Sequence, residues 1–356
     1  MSRPVAVVSW TLVACLLVAR PAPLPAAPLD LAAVAADAQW LMHFDMDAAR
    51  ESVVVKRACE KMQKMHPYAG GMMDMAARMT GMDPRKDLRD VTVWGFDTDK
   101  RNGVMIVRGR VNREMLERMA AKAPDHETME HRKHTLHAWT HKGWKGRGRE
   151  RMVGAFHRDD VLVFARTPEK VKAALDVLDG EAAAVRGDGP LGGRVRPGSI
   201  LVARAAAVDP DTKCPVLKQG RAFRVALGES EGKSFYRARL AMESPAAADA
   251  VEDVVEGFTA LGRLRWGDEA DAMQLVNAVN VDVDGDTCTI AWDGAAEKVA
   301  QVVERGMEEW QRRHRGRRGC PACGKDGCAG CAEGACPMKR GRDGEKAEQP
   351  LRDDEF

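Results

Sequence analysis

The chain has 356 residues, 45% of them hydrophobic and 30% charged, a composition that belongs to a globular protein and excludes a disordered or fibrous one. At roughly 150 residues per domain, that length suggests about two domains. Fifty-five Lys and Arg against fifty-three Asp and Glu leave +2, which falls to about zero if Arg3 and Arg20 depart with a leader, so net charge does not predict nucleic-acid binding.

Arg3 precedes an apolar stretch over residues 4–19, short of the roughly 20 residues a membrane-spanning helix needs but of secretory length. The expectation is export to the periplasm or the extracellular space, with a signal peptide over 1–27. Small residues at Ala26-Ala27 and at Ala33-Val34-Ala35 both offer cleavage sites. Leu12-Val13-Ala14-Cys15 also reads as a lipobox, which makes a lipoprotein acylated on Cys15 an alternative. Against it, Leu16-Leu17-Val18-Ala19 extends the apolar run past the cysteine. A retained N-terminal anchor is a third alternative.

In chain order, residues 39–43 read as a strand, followed by Asp45-Met46-Asp47 as helix-start carboxylates and a helix through Val53, Val54, Cys59 and Met62. Two apolar runs, 91–96 and 103–107, are joined through Asn102-Gly103 as a hairpin. Asn112 is placed to cap a helix with Met115, Leu116 and Met119 at helical spacing. Strands are expected at 136–140, 151–156 and 161–165. Thr167-Pro168-Glu169 then opens a helix with a stripe of Val171, Ala174, Leu175 and Leu178, ended by Gly180.

The glycines and prolines of residues 186–198 sustain neither regular element. Strands follow from Ile200, at 223–227 and at 235–242. Ser244-Pro245 opens a helix with Val251, Val254, Val255, Phe258 and Leu261 on one face. A hairpin around Asp284-Gly285 leads to a helix with Val299, Val302, Val303, Met307 and Trp310 on its buried side. The fold class expected is α+β: two related halves, each an antiparallel sheet covered by helices on one face, plus a disordered Cys-rich tail. The boundaries are 1–27 signal peptide, 36–182 first half, 183–198 linker, 199–312 second half and 313–356 tail.

Residues 36–47, Ala-Asp-Ala-Gln-Trp-Leu-Met-His-Phe-Asp-Met-Asp, resemble the opening of a group of uncharacterised exported bacterial proteins in which an A-D-A-x-W-x-x-H-x-D-x-D segment follows the signal peptide. The resemblance runs to about Gly180. It implies export and carries no activity with it.

Candidate chemistry begins with histidine. His126, His131, His134, His137 and His141 fall within sixteen residues. His126 and His131 are five apart, whereas a zinc-protease helix needs a spacing of about four to bring both rings to one face. On a strand, His137 and His141 would flank Trp139, with His131 further along the same face, and a metal can use two of them; a polar strand face is the plainer reading. Asp282, Asp284 and Asp286 imitate the start of a calcium loop, but Thr287 stands where that loop requires glycine, so an Asp-Gly hairpin is expected. Seven methionines between Met62 and Met82 can offer thioethers to copper(I), yet helix packing explains them more simply. No phosphate loop, nucleophile elbow or kinase signature is present in the sequence.

The tail carries the strongest motif. Cys320, Cys323, Cys328, Cys331 and Cys336 form C-x2-C-x4-C-x2-C-x4-C, five of the nine cysteines within seventeen residues. Two Cys-x2-Cys pairs can chelate one tetrahedral ion, so Zn or another soft metal is the expected cofactor, with Cys336 an alternate ligand. Disulfides compete in an oxidising compartment. Cys320 and Cys323 also look like a redox dithiol but lack the strand-to-helix setting that lowers a thiol pKa. The expected function is therefore an exported, non-enzymatic envelope protein with a metal-binding or crosslinking tail and an envelope or membrane-surface partner. The alternative is a metal-dependent or thiol redox enzyme. Cys59 and Cys288 are expected to be buried as small hydrophobes.

Overall fold

The computed structural model describes residues 29–315, except 66, 100–101, 143–147, 209–211 and 213–214. The described residues start upstream of the first expected strand. Asp30 accepts from the Ala32 N–H at 3.0 Å and caps a single 3-10 turn, Leu31–Ala33, and the side chains of Ala33, Val34 and Ala35 enter the core. The strand β1 (Trp40–Asp45) ends on Asp45, whose Oδ1 accepts from the Ala48 N–H at 2.8 Å and starts α1 (Met46–Glu51). The helix expected across this region breaks at Ser52, and α2 (Val53–Met65) begins there. Its first N–H groups are satisfied from far along the chain: the Glu229 carboxylate accepts from Ser52 Oγ at 2.8 Å and from the Val53 N–H at 3.0 Å.

After α3 (Pro67–Thr80), the strands β2 (Leu88–Gly95) and β3 (Val104–Gly109) form the expected hairpin. Asn112 caps α4 (Arg113–Ala121), accepting from the Met115 N–H at 2.9 Å. A meander follows: β4 (Glu127–His131), β5 (His134–Lys142), β6 (Arg149–Arg158) and β7 (Val161–Ala165). Pro168 opens α5 (Pro168–Leu178), with Thr167 at the N-cap position but without a side-chain capping bond, and Gly180 leaves the helix at φ +77°. The second half runs β8 (Ser199–Ala205), α6 (Pro215–Lys218), β9 (Gly220–Ser230), β10 (Lys233–Met242), α7 (Pro245–Trp266), α8 (Ala270–Asn277), β11 (Asn280–Asp284), β12 (Thr287–Ala295) and α9 (Ala296–Arg315). By packing, the chain divides between residues 299 and 300, and among the described residues every strand lies in the first unit.

The architecture is α+β, but the two expected sheets are one. Twelve strands, all antiparallel, run in the order β11-β12-β10-β9-β8-β1-β2-β3-β7-β6-β5-β4. The join is β1, where Leu41 lies opposite Trp94 on β2 and opposite Arg204 on β8. The main core packs Leu41, Trp94, Ile106 and Val163 with Val171 and Leu175 of α5. A second cluster sets Leu240, Met242 and Cys288 with Ala248 and Val251 of α7. In the first half helices lie on both faces of the sheet, because residues on both sides of β5 find apolar helical partners, those of α5 and those of α4.

Residues 186–198 contain no helix or strand, as their composition requires, yet they are pinned. Buried Arg204 donates from Nη1 to the carbonyls of Leu191 and Gly192, each at 2.7 Å, and Arg224 Nη2 donates to the Gly189 carbonyl at 2.9 Å. Burial, and then the nearby Arg224 charge, lower the Arg204 guanidinium to about 10.

Several stripes expected to be buried are not. Cys59 on α2 is exposed, as are Met62, Met73, Met75 and Met79. On α7, Val251 is buried, but Val254 is 39% exposed, Phe258 70% and Leu261 62%, and Trp310 on α9 is exposed too. Helical spacing collects apolar residues on one face, but it carries no information on whether another element covers that face. Cys288 is buried as expected, and burial pushes its thiol pKa up. No helix among the described residues is long and apolar enough to cross a membrane.

Candidate functional site

The strand β5 separates two chemical environments by simple alternation. Leu136 and Ala138 enter the core beneath α5, and His134 precedes them on that face. His137, Trp139 and His141 point the other way, toward α4. The helix covers this second face with Leu116, Met119 and Ala120, but it does not close onto it, and a cavity of about 460 Å³ remains. The far wall is Phe156 of β6 with Leu162 and Phe164 of β7.

Glycine makes the floor of this pocket. Gly154 on β6 lies in register between His137 of β5 and Phe164 of β7. A Cβ at that position would stand 2.9 Å from the Phe164 ring and 3.2 Å from Trp139, so only glycine lets both rings lie over the strand. Polar groups sit at the edge. His126 Nε2 and His137 Nδ1 are 3.1 Å apart with their rings stacked, so the pair holds a proton between one donor and one acceptor nitrogen. Burial lowers the His137 imidazole pKa, with Glu117 working against it. Arg113 links the helix to the sheet, bonding Glu117 Oε1 at 2.8 Å and lying 5.0 Å from the centre of the Phe156 ring.

The expected histidine face forms only in part: His137 and His141 flank Trp139 on β5, but His131 is not on it. Arg132, at φ 56°, turns the chain so that His131 lies on β4, opposite His134. His131 Nε2 meets Asp176 Oδ1 at 2.9 Å, and His141 Nδ1 donates to the Glu150 carbonyl at 2.9 Å. On the α5 side a different group assembles, which the sequence did not single out. Asp179, the C-cap of α5, is met by His134 Nε2 at 2.9 Å, His157 Nε2 at 2.9 Å and Lys133 Nζ at 2.9 Å. The only sequence signal was indirect: His157 stands at the end of a strand and Asp179 immediately precedes a helix-ending glycine.

Asp282, Asp284 and Asp286 belong to the β11–β12 hairpin, with Gly285 at φ +58° and Asp286 paired with Arg221. The candidate ligands Cys320, Cys323, Cys328, Cys331 and Cys336 lie outside the described residues, as do Cys15 and the leader.

No protein-family model matches the chain, and no curated protein sequence does. Among solved structures it is similar to crystal forms I, III and IV of TP0453. Form III shares 10% identity at a TM-score of 0.40, covering 78% of this chain and 98% of that one. Form I shares 11% at 0.39, covering 79% and 99%, and form IV 11% at 0.40, covering 78% and 98%. At that degree of likeness, the function of this chain rests on its own geometry.

Proposed function

We propose that the chain is an exported, non-catalytic binding protein of the cell envelope that takes a slender apolar ligand, of the acyl-chain or lipid class, in the pocket between α4 and the sheet. The pocket is the observation that carries this reading. Its volume of about 460 Å³ falls within the range of roughly 300–1,000 Å³ typical of ligand sites. Trp139, Phe156, Leu162 and Phe164 supply apolar wall, while Glu117 and His137 add polar groups to the lining that suit a ligand headgroup. The apolar stretch behind Arg3 supports export, and Cys320, Cys323, Cys328 and Cys331, with Cys336 as an alternate, support a tail that binds Zn or another soft metal or closes disulfides.

The partner we assign is a membrane surface. The outer face of α7 presents Phe258, Leu261 and Leu264, the last 83% exposed, and its final turn carries Arg263 and Arg265, which suit anionic headgroups. The test of the ligand reading is organic extraction of protein purified from the envelope, followed by mass spectrometry. A stoichiometric acyl or lipid species supports it, and a protein that is both ligand-free and unable to take up a fatty acid removes it.

A further inference from the structure

From the cluster on the α5 side of β5, we infer that His134, His157 and Asp179 form a divalent-cation site suited to zinc, separate from the cysteine tail. Their ligand atoms all lie within 4.8 Å of one another. Bonds of about 2.0–2.1 Å to a tetrahedral ion place ligand atoms roughly 3.3 Å apart, so the site closes on a metal with small side-chain movements. The donor set, two imidazoles and one carboxylate, matches zinc's preference for nitrogen and oxygen and leaves a fourth position for water.

Hydrogen bonding gives a more specific reason. His134 Nδ1 lies 3.2 Å from the Phe156 carbonyl oxygen, which can only accept, so that nitrogen carries a proton. A neutral His134 then turns the lone pair of Nε2 toward Asp179 Oδ2, 2.9 Å away and itself rich in lone pairs. The contact is attractive only if a second proton or a metal cation lies between the two atoms. A histidine that donates one N–H to a backbone carbonyl and aims the other nitrogen at a shared centre has the arrangement of a metal ligand with its outer partner in place.

His157 and Asp179 complete the donor set by position, His157 without the outer acceptor that His134 has. His157 directs Nε2 to Asp179 Oδ1 at 2.9 Å, and its Nδ1 is buried without a partner. Lys133 Nζ also reaches Asp179 Oδ1, at 2.9 Å. Lys133 occupies the open side of the cluster. Its side chain is 68% exposed and is free to swing away when a cation arrives.

The tail is a second potential zinc binder, so the test uses the full chain with Cys320, Cys323, Cys328, Cys331 and Cys336 all changed to serine, and Co²⁺ as the spectroscopic probe. The expected result is uptake of about one Co²⁺, with visible absorption of a nitrogen and oxygen ligand set and no thiolate charge-transfer band in the near ultraviolet. His157→Ala and Asp179→Asn should each weaken binding by more than the roughly 10- to 100-fold that loss of an outer-shell partner costs. Lys133→Ala keeps every ligand and changes only an exposed side chain, so it reports even where a ligand variant fails to fold. Removing the competing ammonium should tighten Co²⁺ binding. No uptake by the five-serine chain, unchanged affinity in a folded His157→Ala protein, or weaker or unchanged binding in Lys133→Ala overturns the assignment.

Discussion

Gly154 and Phe164 face each other in register on neighbouring strands, and a Cβ on the glycine would stand 2.9 Å from the aromatic ring. Space for the pocket therefore depends on one missing methyl group. Gly154→Val should push Phe164 and Trp139 into the cavity, destabilise the fold by about 1–3 kcal/mol through overpacking, and abolish uptake of a fluorescent fatty acid. Urea unfolding and probe titration check both parts. Retained uptake would place the ligand elsewhere.

A second prediction concerns pH. Asp90 on β2 is fully buried, lies opposite Asp45 on β1, and leaves its Oδ2 without a partner. Burial raises its pKa to about 6, against the attraction of Arg108, whose Nη1 is 3.3 Å from Oδ1. A carboxyl with a raised folded-state pKa binds its proton more tightly in the native chain than in the unfolded one. Its effect on stability is absent below the unfolded value near 4, grows as pH rises through the folded pKa, and costs up to about 3 kcal/mol above it. Asp45, also raised by burial, acts in the same direction. Unfolding free energies measured at pH 5 and pH 7.5 should therefore fall with rising pH more steeply in the parent than in Asp90→Asn. Comparing the two isolates Asp90 from His157, whose lowered pKa acts in the opposite sense. Equal slopes would contradict the assignment.

The buried start of the body discriminates between the cleavage sites. Val34 is fully buried and its carbonyl accepts from the Val185 N–H at 2.8 Å, while Ala33 and Ala35 are buried beside it. Cleavage after Ala35 would remove all three residues, and Val34 alone is worth about 1.5–3 kcal/mol. Under the proposed export and cleavage, N-terminal sequencing of the mature protein should find a first residue at or before Leu29. A protein beginning at residue 36 with the thermal stability of one beginning at 28 would contradict the packing seen for this segment.

The face of α7 separates association from stability. Phe258 and Leu264 are exposed, so Phe258→Ser and Leu264→Ser should change the unfolding free energy by no more than about 0.5 kcal/mol. Co-sedimentation with anionic phospholipid vesicles should fall several-fold in the double variant. Unchanged sedimentation would remove the membrane surface as partner.

How much of this was legible in the sequence depends on the kind of signal. Local chemistry transferred well: Asn112 caps α4, Asp45 starts α1 and Gly180 ends α5, because each acts through atoms within a few residues. Long-range pairing did not transfer. Nothing local to Leu41 says that its strand has Trp94 on one side and Arg204 on the other, so one sheet was read as two. The cap that Glu229 places on α2 was hidden for the same reason. The histidine-rich stretch was visible, but its division into a stacked pair at a pocket and a carboxylate-centred cluster required the turn at Arg132 and the alternation of β5. Asp179 had no motif to announce it, since its partners lie on β5, on β6 and at the turn before β5.

The most direct test of the ligand-binding claim is equilibrium titration of the full chain with a fluorescent fatty acid, comparing the parent with Ala120→Phe. Ala120 lines the pocket from α4 and is only partly buried, so a larger side chain fills the cavity without entering the main core. The account predicts saturable binding of about one ligand per chain in the parent and a loss of affinity of at least about tenfold in the variant, equivalent to about 1.4 kcal/mol, with unfolding unchanged. Equal binding by both proteins, or no saturable binding by the parent, would contradict it.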